Sequence, residues 1–262
     1  MEIHDTSLNA ILHAGEHKVN VLGHDPAASV SAAMLAGVFV GLGMFLIYTI
    51  GGYLNASGIT HYKILMGVSF GIALSLVMLL DGNLFTGNTM LATAGLLAGK
   101  MKVRQAVKLC VWSWLGNFAG STLLAILFLF ADTTHGSVRQ FFIDGAMAKM
   151  TVPAVNIFFK GVLCNFLVCF ATLSAIKLKE ETARLIMIFW CLFAFITTGY
   201  EHSVANMSFF SAAWLLSGRT IPLISIGHGL LWSTVGNAVG GILVAVAYYV
   251  IGRKNLERPA SE

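Results

Sequence analysis

Glu201 and His202 stand side by side in FITTGYEHSVANMSFF (195–210), where a long apolar run breaks and then resumes. An imidazole changes protonation near neutral pH and can give or take a hydrogen bond at its ring nitrogens. A hydrogen-bonded structural histidine is the plainer alternative. Glu201 could accept hydrogen bonds from loop N–H groups and so fix the loop rather than meet a ligand. A second interruption, DGNLFTGNT (81–89), carries Thr86, whose hydroxyl can donate to an anion or to His202. Asn88 and Asn206 can satisfy backbone groups where helical hydrogen bonding stops. Asp81 could serve the first loop as Glu201 serves the second. Lys149 stands just before an apolar run, where it either snorkels or leans inward and attracts anions. Lys160 follows, roughly 16 Å away if the stretch is helical, so the two lysines need not serve one site. Phe70, Leu74, Leu84 and Phe195 could form apolar constrictions that reject stripped ions, because desolvating a charge is expensive; plain packing accounts for them equally well.

Such side chains need elements that hold them in a membrane. The 262-residue chain is 57% hydrophobic and 11% charged, where a soluble domain carries about 25% charged residues. It is therefore a polytopic membrane protein, and a titratable residue at bilayer depth points to function. Residues 7–22 have the spacing of an amphipathic helix lying at the interface, and no cleavable signal peptide is expected. Spans are expected at about 27–54, 107–131, 152–176 and 221–251, each long enough to cross. The second and fifth are broken, 64–98 and 185–216. Neither piece of the second makes a comfortable crossing alone, so each polar loop belongs near the membrane centre. Residues 132–151 read as a polar connector. The four cysteines lie in apolar runs without metal or redox spacing. With the N-terminus inside, eleven Lys and Arg fall in inner segments, against Lys63, Arg139, Lys149 and Arg219 outside. That bias predicts six spans with both termini cytoplasmic, and it makes the net charge of +4 an orientation signal rather than a nucleic-acid one.

The chain also repeats. Trp112-Ser113-x-x-Gly116-Asn117-x-x-Gly120 recurs as Trp232-Ser233-x-x-Gly236-Asn237-x-x-Gly240, offset by 120. Gly37-Val38 aligns weakly with Gly161-Val162 at 124, and the broken elements correspond at about 118. Three spans per half is an odd number, so the second half enters from the opposite side. The expected fold is an all-α membrane protein forming a single transmembrane domain, with inverted repeats at about 27–131 and 152–251. Interrupted segments at matching places in inverted halves point to a central transport site.

The set LFTGNT (84–89), HSVANM (202–207), Lys149 in AKMTVPA and FFKGVLCNFLVC (158–169) resembles the formate–nitrite transporter family over about residues 8–251, nearest its nitrite-channel branch. The resemblance implies an aquaporin-like protomer in a homopentamer, each protomer with its own pore, in a bacterial inner membrane. It assigns Thr86 to the broken-loop threonine, His202 to the central pore histidine and Lys149 to the outer lysine. Asn165 takes the place of the fourth-span asparagine, and Glu201 that of the acidic residue beside the histidine. Phe70 and Phe195 would gate the periplasmic side, Leu74 and Leu84 the cytoplasmic side. The expected activity is a pH-dependent channel or proton-coupled transporter for a small monovalent weak-acid anion. Nitrite comes first, with hydrosulfide or formate as alternatives. His202 would donate or relay a proton, or only polarise the site.

Other classes fit less well. A transporter of larger organic anions would need a wider polar cavity and an arginine clamp, and no arginine lies inside an expected span. An aquaporin-like neutral-solute channel usually carries an arginine filter, whereas His202 and Lys149 favour anions. No metal, cofactor or nucleophile set converges for an enzyme.

Overall fold

The computed structural model describes residues 7–256, and every regular element among them is helical. In chain order these are α1 (Ser7–His24), α2 (Pro26–Ala56), α3 (Tyr62–Ser69), α4 (Gly71–Leu79), α5 (Phe85–Leu97) and α6 (Val103–Ala131). The second half continues with α7 (Gly136–Met150), α8 (Ala154–Lys177), α9 (Glu181–Thr198), α10 (Ser203–Leu216) and α11 (Leu223–Leu256). Six segments are long and apolar enough to cross a membrane: α2, α3 with α4, α6, α8, α9, and α11 through Lys254. Proline marks entry points, where its missing N–H is harmless. Pro26 opens α2 behind Asp25, whose carboxylate accepts from Ala28 N at 2.9 Å; Pro153 precedes α8.

The two breaks are built alike. Both first arms end in a left-handed residue followed by a backbone bond reaching five residues back. Asp81 (φ 56°) is followed by Gly82 N to Val77 O at 2.8 Å, and Gly199 (φ 77°) by Tyr200 N to Phe195 O at 3.0 Å. This wrap around a left-handed residue closes the last helical turn and ends the arm. Each first arm is longer than the sequence suggested. α3 and α4 together, and α9 alone, are each a membrane-length segment of 18 residues, or about 27 Å of helix. The break in the second span is also shorter than the polar stretch: Thr86, Asn88 and Thr89 already lie within α5.

Three further expectations change. Residues 136–150 form the helix α7 rather than a connector. The apolar face of α1 is covered by protein, with Leu8, Ile11 and Leu12 packed against Met90, Leu91, Leu173 and Val244. α2 corresponds to α8 at 128, not 124. Asn117 Nδ2 donates to Ala33 O and Asn237 Nδ2 to Gly161 O, both at 2.8 Å. A methyl added at Gly120 would strike the Met34 carbonyl, and one at Gly240 the Val162 carbonyl, at the same offset. These glycines let α6 lie on α2 and α11 on α8 at near-backbone contact.

Candidate functional site

Two asparagines hold the broken spans in place. Asn117 accepts from Phe85 N at 2.9 Å and donates to Asn83 O at 3.0 Å. Asn237 accepts from Ser203 N at 2.7 Å and donates to Glu201 O at 2.8 Å. Each thus satisfies the first orphan N–H of a half-helix and the carbonyl of its loop. The N-termini of α5 and α10 are thereby fixed inside the bundle, with Leu84 and His202 at the N-cap positions.

His202 is buried and caps its own helix, its Nδ1 accepting from Ala205 N at 3.1 Å. A neutral imidazole whose Nδ1 accepts carries its proton on Nε2. That nitrogen lies 3.1 Å from Thr86 Oγ1, so Nε2–H donates to the hydroxyl and joins the two broken spans. The hydroxyl proton of Thr86 is then free for another acceptor. Asn165 stands behind, donating through Nδ2 to Thr86 O and Thr89 Oγ1 at 3.2 Å each and to Asn237 O.

Beside His202, Phe70 and Phe195 meet edge to face with ring centroids 5.3 Å apart. These two rings, with Leu74, Leu84, Val40 and His202, enclose a cavity of about 10 Å³, room for about one water. The four residues expected as two pairs of constrictions therefore line one small apolar cavity. Phe195 and His202 also border a larger vestibule of about 520 Å³ that carries Lys63, Lys149, Lys160 and Glu201. Lys149 and Lys160 thus face one space, because the chain breaks at Thr151–Pro153 between α7 and α8.

Glu201 is 3% exposed and binds Lys149 Nζ through Oε2 at 2.7 Å; Asn206 Nδ2 donates to the same oxygen at 2.9 Å. In the first half this place belongs to Asn83, not Asp81. Asn88 Nδ2 donates to Asn83 Oδ1 at 2.8 Å, as Asn206 does to Glu201. Asp81 is exposed and matches Gly199 instead, turning the chain. The sequence reading missed Asn83, although an offset of 118 from Glu201 leads to it. It also missed Lys18, which reaches from α1 to donate to Gly82 O at 3.4 Å. Burial holds that ammonium below the usual lysine range, opposed by the Asp81 carboxylate. Helices α1 and α7 therefore each lend a lysine to the loop of the span after next.

Residues 5–251 match the sequence profile of the formate/nitrite transporter family. The chain belongs to that family. It is 43% identical over 233 residues to the nitrite transporter NirC of Salmonella typhimurium, covering 88% of this chain and 85% of the relative. The solved structure of an FNT family ion channel matches with a TM-score of 0.87 at 37% identity, covering 94% of this chain and 98% of that one. The fold is also that of a pentameric formate channel with formate bound, with a TM-score of 0.72 at 24% identity over 86% of this chain and 96% of that one. Membership in the formate/nitrite transporter family makes this a multi-pass membrane transporter with the family's six-span all-α fold, and not an enzyme.

Proposed function

We propose that this transporter is a pore for small monovalent anions of weak acids, nitrite first among them, in a bacterial cytoplasmic membrane. Both termini face the cytoplasm, each protomer is a single transmembrane domain of two inverted halves, and the assembly is a homopentamer. The observation that carries the reading is the 3.1 Å contact between Thr86 Oγ1 and His202 Nε2, beside an apolar collar and at the foot of a lysine-bearing vestibule.

The vestibule concentrates anions by its positive charge. A bare anion cannot enter the collar without losing its hydration, which is costly in an apolar surround. A conjugate base of a weak acid escapes that cost by taking a proton at the threshold and crossing as the neutral acid. His202 serves this step as a hydrogen-bond donor. Its Nε2–H holds Thr86 Oγ1, and the Thr86 hydroxyl proton points to the solute. A proton given up by this neutral imidazole would leave an imidazolate, so the transferred proton comes from solvent through the vestibule. Passage then rises as pH falls, because the protonated fraction of the solute rises.

Nitrite leads because of the 43% identity to a nitrite transporter; formate and hydrosulfide meet the same chemical requirements. Pentameric assembly is supported by the formate channel of the same fold. Proteoliposome flux of nitrite, formate and hydrosulfide, compared across pH, tests the reading. Nitrite is expected to pass fastest at equal concentration, with all fluxes rising toward acid pH. Equal flux of a neutral solute such as glycerol, with no anion flux, would support an aquaporin-like pore instead.

A further inference from the structure

The charges around the vestibule differ in what they are free to do. Lys149 is committed to Glu201 at 2.7 Å, and that carboxylate also takes Asn206, so the pair presents little net charge. Lys18 is its counterpart in the other half, spent on the Gly82 carbonyl. Lys63 and Asp144 are exposed at the vestibule margin, and Asp144 holds the Gln140 amide at 2.8 Å. Lys160 stands apart. It is half-buried, lines the same vestibule, and among the described residues has no acidic partner within 4.0 Å.

Its depth is set by backbone bonding. Lys160 lies one to two turns inside α8, and its carbonyl accepts from Glu201 N at 3.3 Å, the residue next to His202. The matching bond in the first half runs from Asn83 N to Ala32 O at 3.0 Å, so Ala32 holds the equivalent place there. Lys160 is a charge added to one half only, at the level of the loop that leads to the collar.

We infer that Lys160 is the anion-capturing residue of this vestibule, concentrating small monovalent anions before the Phe70–Phe195 constriction, while Lys149 holds Glu201 and the second loop. The inference rests on the anion-pore reading. A half-buried ammonium without a partner attracts anions more strongly than an exposed one, because less water screens it. It also makes the two mouths unequal, since the first half has Ala32 in the equivalent place and lacks this charge.

The test is the initial rate of nitrite uptake by the full-length protein in proteoliposomes, against nitrite concentration and ionic strength. Lys160→Gln should raise the half-saturating concentration about threefold to tenfold, affecting it more than the maximal rate, and should flatten the decline of rate with salt. Lys160→Glu should go further in the same direction, and Lys160→Arg should restore both behaviours. Wild-type half-saturation and salt dependence in Lys160→Gln would overturn the inference. So would loss confined to the maximal rate, or failure of Arg to restore capture, since both mark a packing role. Absence of nitrite, formate and hydrosulfide flux in the wild-type protein would overturn the pore reading itself, and this inference with it.

Discussion

His202 does two things through its two ring nitrogens: Nδ1 caps α10 and Nε2 holds Thr86. Asparagine is a good N-cap but too short to span to Thr86. His202→Asn should therefore keep thermal stability in detergent within a few degrees of wild type while breaking the link between the two loops. A large drop in melting temperature would mean that the imidazole is needed mainly for packing. Lys149 and Glu201 form the other decisive pair. Removing one member of a buried ion pair leaves the partner's charge uncompensated, at a cost of about 3–5 kcal/mol. Lys149→Met should thus lower stability strongly, and Lys149→Met with Glu201→Gln should recover much of the loss. A double variant no more stable than the single one would show that the pair is not what holds the loop. The sequence made His202, Glu201 and Thr86 conspicuous because polar groups stand out in apolar runs. It could not reveal which lysine was bound. Lys149 and Lys160 differ only in their partners, and those come from segments far along the chain.

The broken spans depend on Asn117 and Asn237, which tie an N–H, a loop carbonyl and a neighbouring helix together. Losing either leaves buried backbone groups unpaired, at about 1–3 kcal/mol each. Asn117→Ala and Asn237→Ala should each destabilise the fold by several kcal/mol, read as lower denaturation midpoints in detergent. Similar losses at both positions would match their equivalent bonding; a neutral result at either would contradict it. Close helix contact can be tested at Gly236, where an added methyl would strike the Phe158 carbonyl. Gly236→Ala should cripple folding. Gly227→Ala, with nothing within 4 Å, should be neutral or stabilise the helix by about 0.5–1 kcal/mol. The recurring Trp-Ser-x-x-Gly-Asn-x-x-Gly motif made this part of the fold readable, because its Ser, Asn and Gly residues are buried in both halves. The match between α2 and α8 was poorly readable. Their contact positions pair Ala33 with Gly161 and Met34 with Val162, so shape is kept while identity is lost. The helix α7 was hidden by Arg139, Asp144 and Lys149, whose charges resemble a loop until Val138, Phe142 and Ala146 are seen buried on one face.

At the scale of the molecule, the two broken spans meet where Thr86 touches His202. The small apolar cavity lies against His202, and the vestibule with its lysines borders the same residue. Neither half could do this alone, because one carries the hydroxyl and the other the imidazole. On the proposed function, this contact completes a pore for weak-acid anions. That role is tested most directly by the pH dependence of nitrite flux into proteoliposomes for the wild-type protein, Thr86→Val and His202→Asn. The wild-type rate should climb as pH falls. Both variants, verified as folded, should lose at least about tenfold at every pH, the effect of removing a transition-state contact worth about 1.4 kcal/mol. Undiminished flux in both variants across the whole pH range would contradict the account.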